Sequence, residues 1–365
     1  MQGVLTRARE FHRRHTVAVV IAYLVAAVGI FMLLNARLSI EWVILLLIGA
    51  AFLFRRGKIF LRDWGVFIAV VIAWQLTDGL ATDFNFPWHV QDLITADKKL
   101  FFGTLPTLWL QRRLFHPGYV SWYDLIAVTV YSLHFLLPLG AGFLLWLLNR
   151  QLYYKYAICF VIAAVLGFAT YIVFPAVPPW LAAQYATNCD LNAACWIWRG
   201  PVLSGFGLRT VPANPHPYLP MVYDVWNHTM RMWITKNHGN FAFSGFTLGY
   251  DQVGAMPSEH VMYPTLVLLF FRRQFGRLGN LMILYIMLVI FSIVYMGQHW
   301  VVDALAGIVY AVVVYVSVMH VFPWVRSRLA HRRVATAVLP EPQTELRPKA
   351  ADERLPVTSG AESAR

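Results

Sequence analysis

The sequence HWVVD at residues 299–303 stands at the head of an apolar run that extends over residues 300–322. An α-helix of roughly this length crosses the hydrocarbon core of a bilayer, so the run predicts a transmembrane helix with a histidine at one end. Asp303 follows His299 by four residues, and on a helix the two side chains would share a face. The pair therefore predicts a nucleophilic imidazole that a neighbouring carboxylate orients and stabilises by its charge.

A second histidine stands in the sequence PSEH at residues 257–260, again at the head of an apolar run. Proline and serine favour the first turn of a helix, and the free N–H groups of that turn attract anions such as phosphate. Histidine titrates near neutral pH, so His260 is the candidate general acid and base, and Ser258 is a candidate phosphate ligand. Two histidines and one carboxylate are the groups needed to transfer phosphorus through a phosphohistidine.

Each of these groups also has a structural interpretation. His260 alone could be an interfacial histidine that bonds to a loop, and His299 with Asp303 could be a structural polar pair. The functional interpretation is favoured because both histidines stand at helix ends, and because an ionisable residue inside an apolar run is a functional candidate by default. A third histidine, His134, lies within another apolar run and is interpreted as a helix-to-helix hydrogen-bonding group.

The composition indicates an integral membrane protein. Of 365 residues, 59% are hydrophobic and 13% are charged, and the mean hydropathy is +0.56. Soluble domains average about 25% charged residues. The formal net charge of +12 would suit a nucleic-acid-binding protein. The positive residues are distributed by membrane topology instead of being gathered on one surface, so nucleic acid is excluded as a partner.

The apolar runs predict an all-α polytopic membrane protein with about eight transmembrane helices. Residues 1–63 are expected to form an N-terminal transmembrane hairpin, residues 64–330 a catalytic membrane domain, and residues 331–365 a disordered cytoplasmic tail. The runs lie at about 17–34, 40–54, 64–80, 124–148, 154–174, 258–271, 279–297 and 300–322.

The distribution of lysine and arginine orients these helices. With the N-terminus in the cytoplasm and alternating spans, the inner segments hold 21 of the 30 lysines and arginines, as the positive-inside rule requires. Both termini are then cytoplasmic, and residues 81–123 and 175–257 form outer loops. Both His260 and His299 fall at outer helix ends, which predicts an extracytoplasmic active site in the cell membrane.

The two outer loops differ in character. The first, residues 81–123, interleaves aromatic with basic residues, which is typical either of a helix lying in the membrane interface or of a solvated loop with aromatic anchors. The second, residues 175–257, is rich in Gly, Pro, Asn and aromatics and is expected to cap the membrane face with short helices and turns. Cys189 and Cys195 lie in it and could pair in an oxidising compartment.

Three stretches resemble the signature motifs of a known family. The sequences AMPSEH at 255–260 and YMGQHWVVDALAG at 295–307 resemble the second and third motifs of the PAP2 (type 2 phosphatidic acid phosphatase) superfamily. The sequence FPAVPPW at 174–180 resembles the region that stands for the first motif in one branch of that family. This branch comprises the fungal inositol phosphorylceramide synthases and their bacterial relatives.

The resemblance covers about residues 64–322 and carries expectations for fold and site. It implies a core of six helices. By the matching motif positions, His299 corresponds to the family's nucleophile, Asp303 to its carboxylate partner and His260 to its acid and base.

The usual phosphate-binding cations of the family's lipid phosphatases are missing from their usual places. Nothing near residues 168–180 supplies the Lys-x6-Arg-Pro of the first motif, and Ser292 is followed by Ile293 where the third motif has Ser-Arg. Another cation must neutralise the phosphate, because electrostatic stabilisation is usually the largest catalytic term. The candidates are Lys98, Lys99, Arg209, Lys236 and His238, and the further outer-side cations are Arg112, Arg113, Arg199 and Arg231.

These features together predict a membrane phosphotransferase that moves a phospho-head group from a phospholipid donor to a lipid or glycolipid hydroxyl. Phosphatidylinositol is implied as the donor by the branch resemblance alone. The mechanism requires neither a metal nor another cofactor. The first alternative is a lipid phosphatase acting on phosphatidate or a polyprenyl (pyro)phosphate. The second is a transporter or lipid-binding scaffold, which the lack of a visible internal repeat disfavours.

Overall fold

The computed structural model describes residues 40–53, 56–76, 86–184, 195–199, 207–211, 222–236 and 253–324, together with three isolated helical positions near the N-terminus. The predicted tail, His238 and Cys189 lie outside these residues, as does most of the predicted span at 17–34. The chain divides into two compact units, Met1–His320 and Val321–Arg365. Both histidine motifs belong to the first unit.

The described part of the chain is mainly helical, as the sequence predicts. Its helices are α1 (Ile40–Leu53), α2 (Gly57–Leu76), α3 (Gln91–Leu100), α4 (Pro106–Leu114), α5 (Trp122–Leu148), α6 (Arg150–Val173), α7 (Pro179–Gln184), α8 (Val225–Lys236), α9 (Glu259–Phe275), α10 (Leu281–Tyr295) and α11 (Val301–Val316). The all-α prediction misses one antiparallel hairpin, in which β1 (Cys195–Arg199) pairs with β2 (Gly207–Val211). The hairpin lies within the second predicted outer loop.

Several of these helices are long and apolar enough to cross a membrane. Within the described residues three stretches qualify, namely Arg150–Val173, Glu259–Tyr295 and Val301–Trp324, and α5 adds a fourth if its two halves form one span. The halves of α5 are bent by 49° between His134 and Leu136. Pro138 accounts for the bend, because proline cannot donate a hydrogen bond to the carbonyl four residues earlier.

The stretch Glu259–Tyr295 is a hairpin of two helices. A straight helix of its 37 residues would be about 55 Å long. The helices α9 and α10 instead pack against each other, and Gly276, at a positive φ of 63°, ends α9 before a short 3-10 turn over Gly276–Asn280. The start of α9 and the end of α10 therefore lie at the same end of the bundle.

An aromatic cluster packs α2 against α5 and α6 at the end of the bundle opposite to the start of α9. Trp64 stacks on Tyr153 with ring centroids 5.1 Å apart, and the indole of Trp146 donates to Asp63 over 2.9 Å. Arg150 also bonds to Asp63 through two nitrogens. The predicted domain boundary after residue 63 falls inside α2, and the predicted division into domains stays a prediction.

A second cluster of buried side chains lies at the histidine end of the bundle. It joins α3 to the segment around residues 174–183, to residues 253–255 and to the residue before α11. Its members include Leu93, Ile94, Val177, Trp180, Val253, Ala255 and Trp300. This packing places segments from three distant parts of the sequence around His299.

Candidate active site

The two histidine motifs meet at one end of the bundle. Nε2 of His299 lies 3.1 Å from Nδ1 of His260, and the ring centroids are 5.1 Å apart. His299 precedes α11, and His260 is the second residue of α9. The close packing of α9 against α11 therefore puts the two rings within hydrogen-bond distance.

A backbone carbonyl fixes the proton on the His299 ring. Nδ1 of His299 lies 2.8 Å from the carbonyl oxygen of Ala255. Because a carbonyl only accepts hydrogen bonds, Nδ1 must carry the proton, and a neutral ring then has its lone pair on Nε2. The same logic makes Nδ1 of His260 the donor to Nε2 of His299. The potentially nucleophilic nitrogen therefore faces the potential acid.

Asp303 lies near His299 for a different reason from the one its spacing indicates. The prediction that both residues share a helix face is wrong, because α11 begins only at Val301 and Trp300 is its extended N-cap residue. Oδ2 of Asp303 accepts the backbone N–H of Trp300 over 2.9 Å and lies 3.7 Å from Nδ1 of His299. This distance is too long for a hydrogen bond, but it is short enough for an attraction to a charged ring.

The sequence FPAVPPW at 174–180 holds both histidine motifs in place through its backbone. Ala176 accepts the N–H of Ala255 over 3.1 Å, and Trp180 donates to the carbonyl of Gly297 over 2.9 Å. Val177 accepts the indole N–H of Trp300 over 2.8 Å. Residues 174–180 therefore act as a frame: their main-chain groups support His299 and the carbonyl of Ala255. This supporting role does not require a cationic side chain.

A carboxylate from α3, which belongs to the first predicted outer loop, reaches the start of α11. The oxygens of Asp97 in α3 accept the backbone N–H groups of Val301 and Val302, each over 3.0 Å. Asp97 is fully buried. Burial raises the pKa of its carboxyl above the ordinary value, and the two accepted N–H groups partly oppose that rise. Sequence reasoning missed this residue, because its partners are backbone groups some 200 positions away.

α9 begins where the sequence predicts, but the side chain of Ser258 does not cap the helix. Ser258 is the N-cap residue, and its side chain makes no capping hydrogen bond. Its backbone N–H donates to the carbonyl of Asp303 over 3.0 Å. Its Oγ and Nε2 of His260 are buried without a hydrogen-bond partner among the described residues. Such buried polar atoms are costly unless a ligand satisfies them.

Gly307 permits the close approach of α11 to the start of α9. A Cβ atom at this position would lie 2.4 Å from the carbonyl oxygen of Ser258, which is a backbone atom that cannot swing away. We expect Gly307→Ala to push the two helices apart, to lower the stability by about 1–3 kcal/mol and to lower turnover about tenfold or more. Thermal unfolding in detergent and the activity of the folded fraction measure the two effects.

The matched control for this substitution is Gly65→Ala. Gly65 lies inside α2, and a Cβ there would meet no atom of the described residues within 4 Å. Alanine favours a helix over glycine by roughly 0.5–1 kcal/mol, so this variant should be as stable as the wild type or slightly more stable. Equal behaviour of the two variants would show that the contact between Gly307 and Ser258 does not matter.

A third histidine lies in the site, which the sequence interpretation did not foresee. The ring of His134 lies against that of His260, with centroids 3.7 Å apart, and Tyr131 stacks on His260 at 4.2 Å. Nδ1 of His134 is 2.8 Å from the carbonyl oxygen of Tyr131 in its own helix. Two aromatic rings of α5 therefore restrict the orientation of His260. The only signal in the sequence was a histidine within an apolar run.

Buried amides hold the loop between α10 and α11 from its other side. The side chain of Gln111 in α4 donates to the carbonyls of Tyr223 and Tyr295 over 2.9 and 2.8 Å. Gln298 donates to Asp224 over 3.0 Å. The residue next to His299 is thereby tied to the start of α8, which belongs to the second predicted outer loop.

The predicted phosphate-binding cations are placed unevenly. Lys98 and Lys99 are exposed at the end of α3, directly after the buried Asp97. Arg209 lies in β2 and Lys236 is the last residue of α8, while His238 lies outside the described residues. The structure thus brings together His299, His260, Asp303 and Ser258 from the predicted site, and the cations stay predictions. Across the described ranges, no group of three His, Cys, Asp or Glu side chains has the arrangement of a metal site.

A comparison with protein-family models matches residues 91–317 to the model described as the PAP2 superfamily. The matched region is more than half of the chain and contains every residue of the site described above. No curated protein and no solved structure matches the chain significantly.

Proposed function

The chain belongs to the PAP2 superfamily, and on that premise we propose that it is a membrane phosphotransferase with a histidine nucleophile. The family comprises phosphatases and phosphotransferases. In the proposed reaction a phospho-head group passes from a phospholipid donor to a lipid or glycolipid hydroxyl by way of His299. The observation that carries the proposal is the bond from His299 Nδ1 to the Ala255 carbonyl, which leaves Nε2 as the nucleophilic atom.

The first half-reaction forms the phosphohistidine. The phosphoryl group enters between the two rings and replaces their direct hydrogen bond. Nε2 of His299 attacks phosphorus, the bond from phosphorus to the lipid oxygen breaks, and the imidazolium form of His260 gives a proton to that oxygen. Asp303, 3.7 Å from Nδ1, stabilises the positive charge that the His299 ring acquires.

The second half-reaction reverses the proton movement. Neutral His260 takes the proton of the acceptor hydroxyl, whose oxygen attacks phosphorus while the bond from phosphorus to Nε2 breaks. His299 returns to its neutral form with the proton still on Nδ1, and His260 returns to its imidazolium form. If water is the acceptor, the same steps make the enzyme a lipid phosphatase acting on phosphatidate or a polyprenyl (pyro)phosphate.

We assign the phosphate oxygens to the start of α9. The hydroxyl of Ser258, which has no hydrogen-bond partner among the described residues, and the first turn of a helix, which attracts anions, suit a phosphate there. The N-terminus of α11 is unsuitable, because Asp97 and Asp303 already occupy its N–H groups. We also propose that the negative charge of the phosphate is neutralised by Lys98, Lys99, Arg209, Lys236 or His238.

Transfer is favoured over hydrolysis by three features of the sequence. The cations of the lipid-phosphatase motifs are missing, the second outer loop is large enough to shelter an acceptor, and residues 174–180 resemble the synthase branch. Phosphatidylinositol as donor rests on that last resemblance. The proposal includes eight spans, an outer loop cap, cytoplasmic termini and an extracytoplasmic site.

A head-group transfer assay tests the proposal directly. Purified protein in detergent is given phosphatidylinositol with labelled phosphorus and a lipid extract as acceptor. Transfer predicts label in a second lipid and an acid-labile label on the protein, whereas a phosphatase releases inorganic phosphate from phosphatidate. A protein that neither turns over nor becomes labelled with any of these lipids would be a transporter or scaffold. Lipid mass spectrometry of cells with and without the protein identifies the natural product.

The proposed orientation has its own test. A topology reporter inserted within residues 200–240 should report an extracytoplasmic position, because this stretch belongs to the second predicted outer loop. A cytoplasmic signal would reverse the orientation and move the site to the other leaflet. A reporter fused after residue 350 serves as the control and should report the cytoplasm.

A further inference from the structure

Asp97 joins α3 to the start of α11, directly after His299, and the proposed mechanism gives this contact no role. It belongs to α3 in the first predicted outer loop, and its two carboxylate oxygens accept the N–H groups of Val301 and Val302 over 3.0 Å each. The side chain is fully buried. Burying a carboxylate is costly unless hydrogen bonds compensate, so the contact is a built feature of the site.

The backbone after His299 is fixed at three consecutive positions by two carboxylates. The N–H of Trp300 donates to Asp303, and the next two N–H groups donate to Asp97. The indole of Trp300 is also bonded, to the carbonyl of Val177. The segment that carries the His299 ring therefore has little freedom to rotate, and Asp97 accepts two hydrogen bonds that join it to α3.

The position of this backbone decides where the nucleophile points. His299 lies two residues before Val301, and its ring is hydrogen-bonded through Nε2 to Nδ1 of His260 and through Nδ1 to the carbonyl of Ala255. If the start of α11 shifts, this bond and the 3.1 Å contact with His260 must both change. Small displacements of a reacting atom can cost about 10²-fold in rate.

We propose that Asp97 is a positioning residue, which aims His299 Nε2 by anchoring the start of α11 to the first predicted outer loop. The proposal rests on the proposed function, in which Nε2 attacks phosphorus. Through Asp97, α3 supplies the acceptor for the first two N–H groups of α11, which have no acceptor within their own helix.

The kinetic test compares Asp97→Ala and Asp97→Asn with Asp92→Asn. Asp92 lies on the same helix, is half exposed and pairs with His89, so it controls for loss of an acid in α3. With bis(p-nitrophenyl) phosphate as substrate, we expect Asp97→Ala to lower kcat about 10- to 100-fold with KM within about threefold of the wild-type value. Asp97→Asn keeps one accepting oxygen and should lie between Asp97→Ala and the control.

A second measurement does not depend on turnover. Diethyl pyrocarbonate modifies accessible neutral histidines, and mass spectrometry gives the rate at each position. In Asp97→Ala we expect His299 to react at least about threefold faster, because the loosened loop exposes a ring that is buried in the wild type. His116, which is exposed in a turn before α5, should react at an unchanged rate.

The outcomes separate a positioning role from a purely structural one. If Asp97 only stabilises the fold, the yield and unfolding temperature fall, while kcat per folded molecule and the His299 labelling rate match those of Asp92→Asn. That result overturns the proposal. If Asp97→Ala does not fold, Asp97→Asn decides by the same two measurements. A wild type that never becomes phosphorylated would refute the proposed function, but the labelling ratio would still report on Asp97.

Discussion

Replacing His299 by asparagine should abolish phosphorus transfer, with a loss of about 10³-fold or more in turnover. The asparagine side chain is polar and occupies about the same space as the half of the histidine side chain nearest the backbone. Its amide nitrogen, however, has no lone pair that can attack phosphorus. The labelled donor should then leave no acid-labile phosphorus on the protein. Transfer to a second lipid, measured under the same conditions, should fall to the background of the uncatalysed reaction.

The control for this substitution is His116→Asn. His116 is exposed and stacks on Tyr119, and the ring contacts of His260 are with Tyr131, His134 and His299, so loss of His116 should leave both the phosphoenzyme and the turnover unchanged. A His299→Asn protein that still carried labelled phosphorus would place the nucleophile elsewhere. His134 and His260 would then be the next residues to test, because their rings are in contact.

The sequence predicted the parts of the site that depend on local patterns. The apolar runs indicated the helices, and the proline and serine before His260 indicated where α9 begins. The topology count placed both histidines at the same end of the bundle, and the hairpin of α9 and α10 agrees with that placement. The helices and the start of α9 could be predicted because each one is encoded within a single short stretch, and the common end of the two histidines because the positive-inside rule applies to the whole chain.

The orientation of His299 could not be predicted, because it depends on backbone groups from distant segments. The acceptor for its Nδ1 is the carbonyl of Ala255, and any residue type can supply a carbonyl. Residues 174–180 likewise support His299 through main-chain atoms. The sequence shows only that this stretch lacks the cations of the usual first motif, so its supporting role could not be predicted from it. The proximity of Asp303 was anticipated through a helical spacing that the structure does not have, and the turn at Trp300 brings it there instead.

The sequence analysis also missed side chains whose partners are distant in the sequence. Asp97 and Gln111 are polar residues within the first predicted outer loop, which is basic and aromatic and for which sequence alone suggests solvent or the membrane interface. Their burial follows from tertiary packing of α3 and α4 against the ends of α10 and α11. His134 was interpreted as a helix-to-helix hydrogen-bonding group, because nothing in the sequence relates α5 to α9. The contact of its ring with His260 arises from the packing of these two helices.

Replacing His260 by asparagine should separate the two half-reactions. For a phospholipid donor the leaving group is an alkoxide that needs a proton, so loss of the acid should lower turnover about 10²- to 10⁴-fold. For bis(p-nitrophenyl) phosphate the leaving group is p-nitrophenolate, which is stable without a proton. Formation of the phosphohistidine from this substrate should therefore stay within about tenfold of the wild-type rate, as measured by the burst of p-nitrophenolate.

The second half-reaction should remain slow in this variant with either substrate, because the acceptor hydroxyl still needs a base. Labelled phosphohistidine should therefore accumulate in His260→Asn when the activated diester is used, and it should not accumulate in the wild type, which passes it on. Equal losses with the lipid and with the activated diester would contradict the assignment of His260 as the acid. Such a result would mean that the 3.1 Å contact between the rings serves to hold His299 in place, and that another group supplies the proton.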